Sequence, residues 1–146
     1  MHEQRLNMRL LQYWNTLRKD NPLPQIQKFN WVRIEDLWPY CAIVDLDTRQ
    51  SSSVLYRYTY IGKPLVIMMG EDLTGFTVHP RMRGLPAMPI IQRLDEVIAT
   101  KAPVMEENHF SNAQGKLIKY RGCFLPFGND KNGITNILVG ITHRSY

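Results

Sequence analysis

Apolar residues at the start of the chain recur with the period of an α-helix. Within residues 3–18 they fall at offsets of 0, 4, 7, 8 and 11 and so share one helical face: Leu6, Leu10, Tyr13, Trp14 and Leu17. Asn21-Pro22 and then Pro24 end this predicted helix, because proline cannot continue it. Its apolar stripe must pack either against the rest of the chain or against a second copy of the chain.

Two apolar runs further along have the length and composition of β-strands. The run "CAIVDL" at 41–46 and the run Val54–Ile61 are joined by a polar turn, "RQSSS", and together they predict a hairpin. Strict alternation in the second strand places Tyr56, Tyr58 and Tyr60 on one face. The other face would carry Leu55, Arg57, Thr59 and Ile61.

The remainder divides into a helical middle and a β-rich last third. Prolines and glycines interrupt residues 63–101, and "MPIIQRLDEVIATK" has the apolar period of a longer helix. Three strands, "APVMEENHF", "KLIKYRGCFLPF" and "ITNILVGITH", then alternate with Gly- and Asn-rich turns. The order predicts an α+β fold: a five-stranded antiparallel sheet with helices on one face, preceded by an N-terminal amphipathic helix.

Composition adds the scale of the fold and one alternative function. A chain of 146 residues, 44% of them apolar, fits one domain with a real core. Its net charge of +5 allows a basic nucleic-acid-binding domain as an alternative function. However, the 18 Lys and Arg residues are scattered and form no basic tract, which disfavours nucleic acid as a partner. Binding through phosphates would show a steep dependence on salt.

The cysteines and apolar runs indicate a compartment. Cys41 and Cys123 lie far apart without CxxC or zinc-type spacing, so we expect free buried thiols, with a single disulfide as the alternative. The N-terminus has no secretory h-region. No apolar run approaches the ~20 residues of a membrane-spanning helix. We therefore expect a soluble cytoplasmic protein.

The stretch "YRYTYIGKPLVIMMGEDLTG" at 56–75 resembles a small bacterial PAS-like family. That family reads tyrosine-arginine-x-x-x-glycine, a short helix, then glycine-x-aspartate-leucine-threonine-glycine. The matching positions here are Tyr56, Arg57, Gly62, Gly70, Asp72, Leu73, Thr74 and Gly75. The pieces "YWNTLR", "TKAPV" and "FLPFGND" extend the likeness over residues 11–142. Lys63 and the stretch 77–89 depart from the pattern.

The resemblance implies a sensory or regulatory module of the PAS superfamily, without an enzymatic activity of its own. Residues 1–22 would form an N-terminal helix that dimerises or docks, and residues 23–146 the PAS-like domain. In 146 residues we expect no output domain. The module would bind a small molecule, a protein partner or a second copy of itself, and signal by docking. A small-substrate enzyme, resting on Arg57 and His109, is a further alternative.

Glycines behind a strand raise the question of a phosphate loop. The spacing Gly62-x7-Gly70-x4-Gly75 matches neither GxGxxG nor GxxxxGK[ST]. We predict structural roles instead: Gly70 would end the helix "PLVIMM", and Gly75 would end a turn that begins at Asp72.

Other site chemistries find weak support. His79 or His109 could supply an axial ligand, which leaves haem or another small molecule a possible cofactor that the pattern does not favour. Glu107 and His109 share a strand face without a third metal ligand, so we expect no metal site. A flavin photosensor would need a reactive cysteine in the helical middle, whereas both cysteines fall on predicted strands. No GxSxG elbow or Ser/His/Asp set is present, so we expect no catalytic residues.

The strongest candidate site is a group around Arg57. A buried arginine requires an anion, either the carboxylate of a ligand or an internal partner such as Asp45, Asp72 or Glu107. Which face of the strand carries Arg57 stays open, because a one-residue shift in register turns every side chain to the other face. Methionines of the helical middle could adapt to a guest or simply fill the core. The predicted ligand-binding residues are Arg57, Tyr58, Tyr60, Met68, His79 and Tyr120. The predicted dimer or partner helix presents Leu6, Leu10, Trp14 and Leu17.

Overall fold

The computed structural model describes residues 2–47, 55–78 and 90–145. Its helices are α1 (His2–Arg18), α2 (Lys63–Met69) and α3 (Ile90–Thr100). Its strands are β1 (Cys41–Asp47), β2 (Leu55–Ile61), β3 (Thr77–Val78), β4 (Val104–Ser111), β5 (Leu117–Asn129) and β6 (Gly133–Ser145). Three short 3₁₀ segments lie at Ile26–Lys28, Trp31–Ile34 and Trp38–Tyr40.

The strands form one antiparallel sheet in the order β3-β2-β1-β6-β5-β4. This confirms the five-stranded antiparallel prediction and the hairpin of β1 with β2, and it adds the two-residue β3 beside β2. The C-terminal strand β6 lies in the middle, between β1 and β5. Strand β6 therefore joins the β1–β2 hairpin to β5 and β4 in one sheet.

The sheet is covered on both faces. The inner face packs against α2 and α3, where Tyr58, Leu94 and Phe124 belong to one hydrophobic cluster. The outer face packs against α1 and the 3₁₀ segments, where Leu10 and Phe127 belong to a second cluster. Burial runs without interruption along the second half of β5, as expected for a strand with covered faces on both sides.

Local chemistry explains how α2 begins and ends. Pro64 stands in the first turn of α2, where its missing N–H costs nothing. Gly70 ends the helix in the left-handed region at φ 85°, and its N–H bonds to the carbonyls of Val66 and Ile67. After it, Asp72 Oδ1 accepts from Thr74 N at 2.9 Å and Thr74 Oγ1 at 2.6 Å. The predicted turn roles of Gly70 and Asp72 are confirmed.

Candidate functional site

Three tyrosines from two regions of the sequence project from the sheet into the inner cluster. Tyr56 and Tyr58 come from β2 and Tyr120 from β5, and all three are buried. The Tyr56 hydroxyl donates to Asp95 on α3, and the Tyr120 hydroxyl donates to Glu106 Oε1 at 2.5 Å. Burial raises the pKa of all three phenols above their usual range, and the carboxylate partners of Tyr56 and Tyr120 add to the shift. These tyrosines are therefore neutral hydrogen-bond donors at physiological pH.

Glu106 supplies a buried carboxylate at the edge of this cluster, between β4 and α3. Only 6% of its side chain is exposed. Its Oε1 accepts from Tyr120 and, at 3.1 Å, from Asn108 Nδ2. Its Oε2 lies 2.9 Å from Arg93 Nε, an ion pair by distance. The N–H is not directed at the oxygen, so neither atom has a hydrogen-bond partner in the described part of the chain.

Arg93 carries the compensating positive charge on α3. It is 31% exposed, and its Nη1 lies 3.0 Å from Glu96 Oε2, one turn further along the helix. The group of Arg93, Glu96 and Glu106 thus holds one positive and two negative charges. Buried carboxylates are costly unless they are paired and fully hydrogen-bonded. The arrangement brings unsatisfied polar atoms to an otherwise apolar interior.

The structure brings together half of the predicted ligand-binding residues. Tyr58, Met68 and Tyr120 are buried in the inner cluster, on β2, α2 and β5 respectively. Arg57 and Tyr60 lie on the outer face of the sheet. His79 lies outside the described residues, as do Met82 and Met88 of the helical middle and the predicted 49–53 turn.

The prediction that Tyr60 shares a face with Tyr58 is wrong because β2 contains a bulge. Ile43 lies opposite Tyr60 and Val44 lies opposite Tyr58, so Thr59 is an extra residue in the ladder. The alternation restarts there, which turns Tyr60 to the outer face. Its ring stacks on Trp38 with centroids 4.0 Å apart, and its hydroxyl donates to the Trp38 carbonyl at 3.0 Å.

The burial that a carboxylate site at Arg57 would require is not observed. Arg57 alternates with Tyr56 and Tyr58, so its side chain points to the outer face, where it is exposed. Asp45, one of its proposed internal partners, lies directly opposite on β1 and accepts from Asn136 Nδ2 at 2.6 Å and Thr59 Oγ1 at 3.3 Å. An arginine in water requires no buried anion, so the reason for placing a carboxylate ligand at Arg57 no longer holds.

The apolar stripe of α1, predicted to pack either within the chain or on a second copy, faces its own sheet. Leu6, Leu10 and Trp14 are buried in the outer cluster, and Leu17 is partly buried against it. The Trp14 indole donates to the Pro126 carbonyl at 2.7 Å. Of the two alternatives left by the sequence, packing within the chain is the one observed. This stripe can reach a partner only if α1 leaves the sheet.

The outer face also contains both cysteines of the chain. Cys41 and Cys123 are free and buried, and they flank Gly140 from β1 and β5. Burial raises the pKa of Cys123 to about 12. Burial, and to a smaller extent the nearby Cys123, also raises the pKa of Cys41. They lie across the sheet from α2 and α3. A thiol on that face cannot reach a molecule held in the inner cluster.

A groove of about 620 Å³ runs along the outer face between α1 and the β4–β5 pair. Its walls include Met8 and Leu11 of α1 and Met105 of β4, and Met8 and Met105 are exposed. The pair Arg121 Nε–Glu107 Oε1, 2.7 Å apart, lies beside these side chains. The groove is therefore apolar with one ion pair at its border.

The described residues contain neither a group of metal ligands nor a membrane-spanning helix. Within them, no group of three or more His, Cys, Asp and Glu is placed to hold a metal ion. Glu107, one half of the predicted Glu107–His109 pair, instead contacts Arg121. No helix in the described ranges is long and apolar enough to span a membrane.

Sequence reasoning missed Glu106, Arg93 and Asp95. The run "EENH" was interpreted through Glu107 and His109, which alternation places on the outer face. The same alternation sends Glu106 to the inner face with Phe110. That signal was available, but the position of α3 over β4 was needed to show that the face is covered.

Comparison with known proteins is consistent with this architecture. A family model described as PAS domain matches residues 2–142. The structure resembles a light-oxygen-voltage domain studied with a flavin analogue, at 8% identity and a TM-score of 0.56, covering 78% of this chain and 83% of that one. It also resembles the dark state of the blue-light photoreceptor Aureochrome1 LOV, at 11% identity and a TM-score of 0.55, over 80% and 84% of the two chains.

A third similar structure is the LOV protein of Rhodobacter sphaeroides, at 11% identity and a TM-score of 0.51, covering 79% of this chain and 68% of that one. No functionally curated protein matches the sequence significantly. Identities this low establish a shared fold alone. The family match spans nearly the whole chain, α1 included, and the sheet order and flanking helices agree with it. The chain belongs to the PAS domain family.

Proposed function

We propose that this chain is a sensory module that binds a small molecule between the inner face of its sheet and helices α2 and α3. The observation that carries the proposal is the set of polar groups inside an apolar cluster. Tyr58 and Tyr120 are buried there, and the Glu106 carboxylate is 6% exposed with Oε2 unpartnered within the described residues. Apolar surroundings with a few convergent polar groups are typical of small-molecule sites.

The structural neighbours suggest flavins as the ligand class to consider first. One is described as a light-oxygen-voltage domain studied with a flavin analogue, and another as a blue-light photoreceptor. Photochemistry through a cysteine would require a thiol beside the ligand. The two thiols of this chain lie on the outer face, with pKa values raised by burial. The proposed sensor therefore responds to the binding of its ligand rather than to a cysteine–flavin bond.

Output from such a module would pass through the outer face to a protein partner or a second copy. Strand β4 connects the two sides, because Glu106 faces the inner cluster and the next residue, Glu107, borders the outer groove. A shift of β4 would change the shape of the groove that Met105 and Met8 line. This route supports the proposal that α1 and its groove report the state of the inner site.

Native and denaturing mass spectra of the freshly purified chain, with absorbance from the same sample, test the ligand. We expect an extra mass in the native spectrum that is lost on denaturation and reduced in Tyr120→Phe. Arg57→Ala should retain it, since Arg57 is exposed on the outer face. A Soret band would identify haem. A clean apo mass from several preparations, with no change in inner-face methyl signals on screening small molecules, would contradict the proposal.

A further inference from the structure

Resting on the function proposed above, we infer that the inner site recognises a neutral molecule through a hydroxyl or primary amide group bound between Arg93 and Glu106. Two adjacent atoms there have opposite hydrogen-bonding character. Arg93 Nε–H is a donor and Glu106 Oε2 is an acceptor, 2.9 Å apart. Neither has a partner of suitable geometry in the described residues.

Burial makes these unsatisfied atoms informative. An exposed carboxylate oxygen would be hydrated, whereas the Glu106 side chain is only 6% exposed. Leaving a buried polar atom unpaired is unfavourable, and more so for a charged group. The other oxygen of Glu106 is already satisfied by Tyr120 and Asn108, which fixes the direction of the carboxylate. Oε2 is therefore held in place for an additional donor.

The group that completes both atoms must donate and accept at neighbouring positions. A hydroxyl donates one hydrogen bond and accepts two, so one oxygen could donate to Oε2 and accept from Arg93 Nε–H. A primary amide offers the same pair from its nitrogen and oxygen. Both groups are neutral and bring no charge into a poorly hydrated site.

Charge excludes the ionic alternatives. A carboxylate ligand would face Glu106, and Glu96 lies 3.0 Å from Arg93 on the other side of the guanidinium. An ammonium ligand would satisfy Oε2 but would stand beside the Arg93 guanidinium and leave Nε–H unpaired. Like charges this close repel one another strongly where bulk water does not screen them. A carboxylate thus meets the Glu106 carboxylate and an ammonium leaves the Arg93 Nε–H unpaired, so a neutral head group is the one that completes both atoms.

Neighbouring side chains determine what the head group is attached to. Val104 and Phe110 of β4, with Leu94 and Val97 of α3, are buried members of the inner cluster. The Phe110 and Tyr120 rings meet edge to face with centroids 5.9 Å apart. An apolar or aromatic body carrying one neutral polar head group matches this lining.

Three probes with one ring and different head groups test the inference: benzyl alcohol, benzoate and benzylamine. Each is titrated into the full chain labelled with ¹⁵N and with ¹³C-methyl groups. The Arg93 Nε–H signal, assigned by its loss in Arg93→Lys, reports the head group, and the Leu94 and Val97 methyl signals report the ring. We expect saturable shifts of both with benzyl alcohol and neither with the two ionic probes.

A matched pair of variants on adjacent residues gives the control. Glu106→Gln should weaken benzyl alcohol binding by about tenfold or more, since an amide nitrogen replaces an accepting oxygen. Glu107→Gln removes the same charge one residue away on the outer face and should leave the affinity unchanged. If Glu106→Gln fails to fold, Arg93→Gln, on the partly exposed helix surface, takes its place with the same expected loss.

Each other outcome has a definite meaning. Benzoate or benzylamine binding as tightly as benzyl alcohol would overturn the inference, as would failure of all three to bind. Methyl shifts without an Arg93 shift, insensitive to Glu106→Gln, would also overturn it, yet would leave the proposed inner-face site standing. A bound charged molecule in the native mass spectrum would do the same.

Discussion

Leu10 of α1 lies directly over Gly140 of β6, and the contact depends on the absence of a side chain there. A Cβ built on Gly140 would approach Leu10 Cδ1 to 2.2 Å and Cys123 Sγ to 3.2 Å. Leu10 is fully buried, so it has little room to move aside. This contact fixes how closely the helix approaches the sheet.

Gly140→Ala should therefore lift α1 from the sheet and lower the free energy of unfolding by about 1–3 kcal/mol, as expected for overpacking. Leu10→Ala alone should cost about 2–5 kcal/mol through the cavity it leaves. The double variant should lose clearly less than the sum of the two, because each change relieves the other. Urea unfolding of the four proteins measures these values; strict additivity would disprove the contact.

The two faces of β2 make a second prediction at neighbouring positions. Arg57→Ala should change the free energy of unfolding by no more than about 0.5 kcal/mol, since its side chain is exposed. Tyr58→Ala should cost about 3–5 kcal/mol, because it empties space in the inner cluster. The same urea measurement compares them. A loss at Arg57 approaching that at Tyr58 would restore a buried role for the arginine.

The sequence predicted the elements of this fold well because their periods are strong. The 3.6-residue period of α1 and the polar turns between β4, β5 and β6 depend only on local chemistry. What α1 packs against depends on residues that are far away in the sequence. Leu6 and Leu10 would look the same on a helix that dimerised, and the glycine that receives Leu10 lies 130 residues away.

The candidate site was harder to predict for two physical reasons. A bulge has no signature in "YRYTYI", so strict alternation put Tyr60 with Tyr58 and on the wrong face. The partners of the inner carboxylates come from separate elements, since Glu106 meets Arg93 of α3 and Tyr120 of β5. Alternation alone could place Glu106 and Glu107 on opposite faces of β4, but it could not show that a helix covers Glu106.

His143 predicts how stability depends on pH. It lies on β6 directly opposite Tyr120, and burial lowers its pKa below the usual 6.5. Below that value the unfolded chain binds a proton more readily than the folded chain does. The free energy of unfolding is therefore highest at neutral pH and falls as the pH drops. Urea unfolding from pH 7.5 to 5.5 should show this loss, and His143→Gln should show a smaller one.

A second histidine, His109, provides the control for that comparison. His109→Gln, the same substitution at an exposed side chain, is the matched control for the change of residue type. An NMR titration should place the His143 pKa below the usual 6.5. Equal slopes for His143→Gln and the unchanged protein would show that His143 does not titrate differently in the folded state.

The buried thiols make the final prediction, which reports on α1. Cys41 and Cys123 lie on strands separated by β6, about 9–10 Å apart at the usual strand spacing, which is too far for a disulfide. With the pKa of Cys123 raised to about 12 by burial, thiolate is scarce at pH 8.

Ellman's reagent should therefore modify both thiols only as fast as α1 leaves the sheet, and two thiols should react at once in denaturant. Gly140→Ala should accelerate the native reaction and Arg57→Ala should not, because only the former disturbs the helix that covers the cysteines. Immediate reaction of either thiol in the native protein would mean that the outer cluster is open to solvent.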